Sequence, residues 1–229
     1  MKVWSFAFAL SAALLIAPGS LYPQEIVTAD RFMQAVSAHY GTIKDYEADI
    51  VIKTGSTVMN GTVSSISPSS MRIDFSQPAN QVILFSAGSL TVYLPDITMI
   101  LSQEIGQNSG TAGASLASSD GLSLLRRNYI PTYVSGPEPV PLDAGSQERV
   151  VKIRLGRRTS SEGFREIILS INPSNNMIRR MEGTTVAGVS ISFDFTNVKV
   201  NQGIPELRFV YTPPAGSSTI HNFMFRDSN

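Results

Sequence analysis

The chain has 229 residues, 42% of them hydrophobic, with 18 basic residues balanced by 18 acidic ones and no cysteine. That length suits one domain, or at most two small ones. The missing cysteine excludes disulfides, thiolate metal sites and lipid attachment at an N-terminal cysteine. Neutral charge without a basic segment argues against nucleic acid as a partner, and Arg126–Arg127, Arg157–Arg158 and Arg179–Arg180 read as isolated pairs on solvated faces.

Met1 and Lys2 are followed by an apolar stretch from Val3 to Ala17, and then by Pro18, Gly19 and Ser20. A short basic start, a short apolar core and small residues behind it describe a secretory signal peptide. The stretch is about 15 residues long, short for crossing a bilayer; a retained N-terminal anchor is the alternative. Cleavage is expected between Gly19 and Gln24, giving residues 1–22 as signal and 23–229 as a single exported domain. Loss of Lys2 leaves 17 basic against 18 acidic residues. An exported, unlipidated, soluble protein belongs most simply in a periplasm.

The exported part opens with a helix. Thr28 is its N-cap, Phe32, Val36 and Tyr40 form an apolar stripe at a four-residue spacing, and Gly41 stands where a helix C-terminal glycine belongs. From Asp45 the period changes to two. Tyr46, Ala48, Ile50 and Ile52 alternate with polar residues, and the same pattern recurs at Met71/Ile73/Phe75, Leu90/Val92/Leu94 and Val151/Ile153/Leu155. It appears again at Ile191/Phe193/Phe195 and Leu207/Phe209/Tyr211. Such alternation marks antiparallel strands with one buried face. Turn signals separate them, among them Asn60-Gly61, Ser67-Pro68, Gln77-Pro78, Ala87-Gly88, Asn172-Pro173 and Pro213-Pro214. The expectation is a mainly β fold of ten or eleven strands.

Gly106 to Ser119 is rich in small residues and reads as a flexible loop. Behind it Leu122, Leu124 and Leu125 precede Arg126 in a short helix, and a proline-rich stretch runs from Gly136 to Gly145. A helix on a long tether is either an ordinary crossover or a lid over the sheet.

A search for chemistry finds none. His39 and His221 have no ligand spacing around them, and no nucleophile elbow, phosphate loop or zinc motif occurs. Asp45, Glu47 and Asp49, two apart on one strand, are expected to face solvent. Asn60-Gly61-Thr62 fits a glycosylation acceptor, but an Asn-Gly turn explains it better. The chain reads as a non-enzyme with no cofactor and no metal. It invests instead in one broad apolar face, which two short helices can scarcely cover. Part of that face is then free for an apolar ligand, with Met33, Met59, Met71 and Met99 as adaptable side chains. A fully packed core is the alternative.

Gly61-Thr62-Val63, Ser67-Pro68, Met71-Arg72-Ile73-Asp74-Phe75 and Gln77-Pro78 resemble the LolA type of outer-membrane lipoprotein carrier. Ala87-Gly88, the strand Leu90 to Leu94 and the closing Phe209 to Gly216 continue the likeness in order. The resemblance implies an unclosed antiparallel β-barrel whose concave apolar side is covered by helices. It implies a periplasmic monomer that takes lipoproteins from an inner-membrane ABC transporter and carries their acyl chains to the outer membrane, with an outer-membrane receptor as a further partner. Met71, Ile73 and Phe75 match the family strand that lines the trough. Ile50, Ile52, Val63, Leu90 and Val92 are further lining candidates from alternation, and Leu122, Leu124 and Leu125 fall where the family places its lid. Family members often carry an arginine before the turn proline that latches the lid; here that place is Ser67, so the latch is weaker or built differently. A second reading is a periplasmic module of the same shape that senses lipoproteins or lipids, which predicts a further domain or a membrane anchor. The third, an exported hydrolase, needs a base and a nucleophile together.

Overall fold

The computed structural model describes residues 27–68, 70–104, 119–160 and 162–223. The loop expected at Gly106 to Ser119 lies, but for its last residue, outside the described residues, as does the signal segment. Helix α1 spans Ala29–Gly41 and α2 spans Ser119–Asn128. Thr28 caps α1, its Oγ1 accepting from the Arg31 N–H at 3.3 Å, which satisfies one of the orphan donors of the first turn. Gly41 is the last helical residue and the cap is Thr42, in right-handed backbone geometry. The left-handed glycine expected there is not used, because Thr42 closes the helix itself by donating from Oγ1 to the His39 carbonyl at 2.7 Å.

The strands are β1 (Asp45–Thr54), β2 (Thr57–Ile66), β3 (Ser70–Gln77), β4 (Val82–Ser86), β5 (Ser89–Leu94), β6 (Met99–Glu104) and β7 (Tyr129–Tyr133). They continue with β8 (Val140–Pro141), β9 (Arg149–Arg157), β10 (Phe164–Ile171), β11 (Ile178–Thr185), β12 (Ser190–Val200) and β13 (Ser218–His221). One sheet runs in the order β13-β6-β5-β4-β3-β2-β1-β12-β11-β10-β9-β7, with β8 beside β9. Its edges do not pair, so the sheet is unclosed and mainly β, as expected. Among the described residues it holds thirteen strands rather than ten or eleven; β8 and β13 are too short to show alternation. Nor is it wholly antiparallel, since β13 runs parallel to β6.

Three local readings change. Asn60-Gly61 is not a turn but the middle of β2, where the register against β3 shifts by a bulge. Gly61 is required there because a Cβ would collide with the Asp74 carbonyl of the neighbouring strand. The hairpin turn lies instead at Gly55, with φ +56°. The alternating Leu207/Phe209/Tyr211 is not a strand either. Between Pro205 and Pro213-Pro214 it forms a 3-10 turn, Glu206–Phe209, in a strap crossing the sheet's back. Phe209 points in while Leu207 is 77% exposed. Asp45 does not face solvent: it is buried and accepts from the Gln202 and Gly203 N–H groups at 2.7 and 3.1 Å, fixing the turn that follows β12.

The Arg179–Arg180 pair is not solvated surface. Arg180 bridges Asp143 and Asp194, each at 2.7 Å, while Arg179 bridges Glu148 and the same Asp194 at 3.0 and 3.1 Å. These bonds clamp the proline-rich stretch from Gly136 to Gly145, and the residues just after it, against β11 and β12. The Asp143 carboxyl is held below its ordinary range by the Arg180 guanidinium.

Candidate functional site

In paired strands, residues directly opposite project to the same side. Following the register therefore sorts every side chain to one of two faces. Ala48 pairs with Val63, Val63 with Ile73, Ile73 with Ile83, Ile83 with Val92 and Val92 with Leu101. One row away, Phe195 meets Ile50, which meets Gly61 and then Phe75; on the other side Ser65 meets Met71, Phe85 and Leu90 in turn. Ile52, Phe193, Met181, Leu169 and Ile153 continue the same face toward β9. All eight expected lining residues, Ile50, Ile52, Val63, Met71, Ile73, Phe75, Leu90 and Val92, thus share one face, the one on which the helices lie.

They are not equally covered. Ile50, Ile52, Val63, Ile73 and Phe75 are buried in the main core with Met33, Val36 and Tyr40 of α1 and Leu122 and Leu125 of α2. Met71, Leu90 and Val92 are half-buried. On β5 the buried side chain is Tyr93, on the opposite face. The alternation there is legible but its inside and outside are exchanged, because the strap packs Tyr211 against Val82, Tyr93 and Ile100 from behind. Ile83, Phe85 and Leu101, half-buried on the same face as Leu90 and Val92, belong to this set. Periodicity could not single out the β4 pair, since Val82–Phe85 is an unbroken apolar run. Such a run signals a strand covered on both faces.

The two helices are held differently. α1 is tied to the sheet near both ends: the Tyr133 hydroxyl donates to the Val27 carbonyl at 3.0 Å, and Tyr40 Oη accepts from the Ile178 N–H at 3.0 Å. Burial pushes the Tyr40 and Tyr46 phenols far above their ordinary value. α2 is held by its leucines, Leu122 and Leu125 fully seated and Leu124 half-buried. Its side-chain hydrogen bonds run to α1, with Ser123 Oγ 3.3 Å from Ser37 Oγ and Arg126 Nη2 donating to Asp30 at 3.3 Å, while its last carbonyl, that of Asn128, accepts from the Arg158 N–H at 3.0 Å. The expected latch at the turn proline is thus replaced by side-chain contacts between α2 and α1. Ser67 plays another part, its N–H donating to the Lys44 carbonyl at 2.8 Å.

A cavity of about 670 Å³ opens elsewhere, on the outer face at the tips of the β1–β2 and β11–β12 hairpins. Lys53, Ser192, Glu182 and Ile168 lie in one row across its floor and walls. None of the eight residues borders it. His39 packs edge-on against Tyr40 and His221 is exposed on β13.

The model of the family described as outer membrane lipoprotein carrier protein LolA matches residues 51–212. An outer-membrane lipoprotein carrier protein of Methylococcus capsulatus is 25% identical over 157 residues, 65% of each chain, so that match spans just under two thirds of the relative. One from Chromobacterium violaceum is 21% identical across 93% of this chain and 97% of its own. Among solved structures, an uncharacterized conserved protein from Thermus thermophilus has the same fold, with a TM-score of 0.55 at 12% identity over 84% of this chain and 98% of that one. With most of the chain matched by the family model and thirteen strands open beneath two helices, the chain belongs to the LolA family of outer membrane lipoprotein carriers.

Proposed function

We propose that this chain binds the acyl chains of lipoproteins on the helix-covered face and carries them across a periplasm, without chemistry. One observation carries the reading. On β3 to β6 that face presents Met71, Ile83, Phe85, Leu90, Val92 and Leu101 only half-buried, contiguous with the packed core under α1 and α2. Apolar side chains left half-wet in a row are unfavourable unless something apolar covers them part of the time. A 16-carbon acyl chain costs roughly 12 kcal/mol to leave in water, so a carrier needs only a matching surface and a movable cover. α2, whose side-chain hydrogen bonds go to its neighbour helix and which joins the sheet at its last residue, is suited to be that cover.

On this reading residues 1–22 are a cleaved signal, 23–229 form one periplasmic domain working as a monomer, and cargo passes from an inner-membrane ABC transporter toward an outer-membrane receptor. Among the described residues no helix is long and apolar enough to cross a membrane. The test is native mass spectrometry and lipid extraction on protein recovered from its own periplasm. Co-purified lipoprotein is expected, and Val92→Glu should lower its recovery severalfold while the chain stays folded. Ile73 is a poor probe, since it is only 6% exposed and a carboxylate there would unfold the core. Unchanged recovery in Val92→Glu would place the cargo elsewhere.

A further inference from the structure

The two ends of the sheet differ. The turns β1–β2, β5–β6, β9–β10 and β11–β12 all project from one end, together with the junction between α2 and β7. Two of the arginine pairs that look isolated in sequence meet there. Arg158 donates its N–H to the Asn128 carbonyl at 3.0 Å, Arg157 stands opposite Tyr129, and Arg127 closes α2. The β9–β10 register, continued one step past Gly156 and Glu166, brings Arg165 beside Arg157. None of these four guanidiniums is ion-paired among the described residues, although Arg154 and Glu166 next to them are paired at 3.5 Å. Glu162 is the one acid on the turn.

The same end carries exposed aliphatic side chains: Val58 beside the β1–β2 turn, Ile97 on β5–β6, Val186 and Val189 on β11–β12, and Ile130 beside Gly156. These are five of the ten large apolar residues exposed in the described structure. At the opposite end, the turns β2–β3, β4–β5 and β10–β11 carry none of them.

We propose that this end docks on a bilayer surface rich in anionic phospholipid. Guanidiniums pair with phosphate oxygens, and branched aliphatics on neighbouring tips enter the headgroup boundary. A protein partner would instead be expected to find a shared pocket with aromatic anchors. Here the aliphatics are spread over separate turns, and only Val189 borders the outer-face cavity. The proposal concerns where the chain docks and is independent of what it carries.

The test is flotation of the exported protein with phosphatidylcholine vesicles made with and without phosphatidylglycerol. Binding is expected only to the anionic vesicles and should vanish at high salt. Arg127→Gln/Arg158→Gln, both exposed, should weaken it by roughly fivefold for each arginine. Val186→Ser/Val189→Ser should weaken it without changing its salt dependence. Lys44→Gln/Lys199→Gln, at the far end, should leave it unchanged. Equal binding to neutral vesicles, an equal loss in the lysine variant, or capture by an acidic protein surface with no affinity for vesicles would overturn the proposal.

Discussion

The two halves of the sheet bury opposite faces. From β9 through β12 and β1 to β2, the inner face is packed dry against α1 and α2, with Ile153, Leu155, Leu169 and Val63 almost wholly enclosed. The outer face of that half carries Lys53, Arg154 and Glu182 in water. From β3 to β6 the back of the sheet is also closed. Val82, Leu84, Tyr93 and Ile100 are buried there, the strap holds Tyr211 against Val82, Tyr93 and Ile100, and Arg72 bonds Asp74 and the Arg208 carbonyl beneath the Tyr211 ring. Beyond Ile73 and Phe75 of β3, which join the main core, the inner side chains of that half stay half-open. A strand needs one well-packed face to be stable, and putting it behind the sheet leaves the front free to be apolar without being filled.

The sharpest way to break this comparison is to delete equivalent side chains in the two halves. Ile153→Ala leaves a void in a fully enclosed site and should cost about 2–5 kcal/mol of stability. Leu90→Ala, on the half-open surface, should cost less than about 1 kcal/mol. Chemical denaturation with unchanged m-values reads both. If the two costs match, the β3–β6 front is core like any other and the proposed ligand face disappears.

How far the sequence revealed this arrangement depends on what each residue had to report. The helix around Asp30–Tyr40 and most strands are legible because one side is wet and the other dry, so hydropathy repeats with the period of the backbone. The eight lining candidates fall on one face for the same reason. What stays hidden needs information from distant residues. Nothing local says that the back of β5 is covered by a strap about 115 residues later, so Leu90 and Val92 read as inside and Tyr93 as outside. Gly61 carries an ordinary turn signature, and only the approach of Asp74 from the next strand shows its purpose. Asp45 reads as a surface acid because its partners, the amides of Gln202 and Gly203, are 157 and 158 residues away.

A second test concerns the anchoring of α1 on the covered half. Tyr40→Phe keeps the ring but leaves the buried Ile178 N–H without an acceptor, which should cost about 1–3 kcal/mol. The pH dependence gives an independent signature. Burial raises the Tyr40 and Tyr46 phenols above their ordinary value of 10.0, so the folded state favours the neutral forms. The stability they contribute is fully present below about pH 10 and is lost as the pH rises toward their folded values. Tyr40→Phe should therefore flatten the alkaline loss of stability, with the remaining slope owed chiefly to Tyr46. An unchanged slope would mean that Tyr40 is not enclosed as the packing of α1 requires.

The smallest effect on stability, and the most telling about the cover, is expected at the α1–α2 contact. Asp30 is exposed and Arg126 partly so, and their 3.3 Å ion pair should contribute under about 1 kcal/mol. The Ser37–Ser123 contact adds no bond to the sheet. Asp30→Asn with Ser37→Ala should hardly move the denaturation midpoint. It should still speed hydrogen exchange in α2 while leaving α1 protected, because α1 keeps its bonds to Tyr133 and to the Ile178 amide whatever α2 does. Local opening free energies differ between elements of one domain according to how many contacts each must break. On the proposed reading, α1 stays fixed on the closed half of the sheet while α2 moves. Equal acceleration in both helices would show that they move as one body, and the division between a fixed and a movable cover would fail with it.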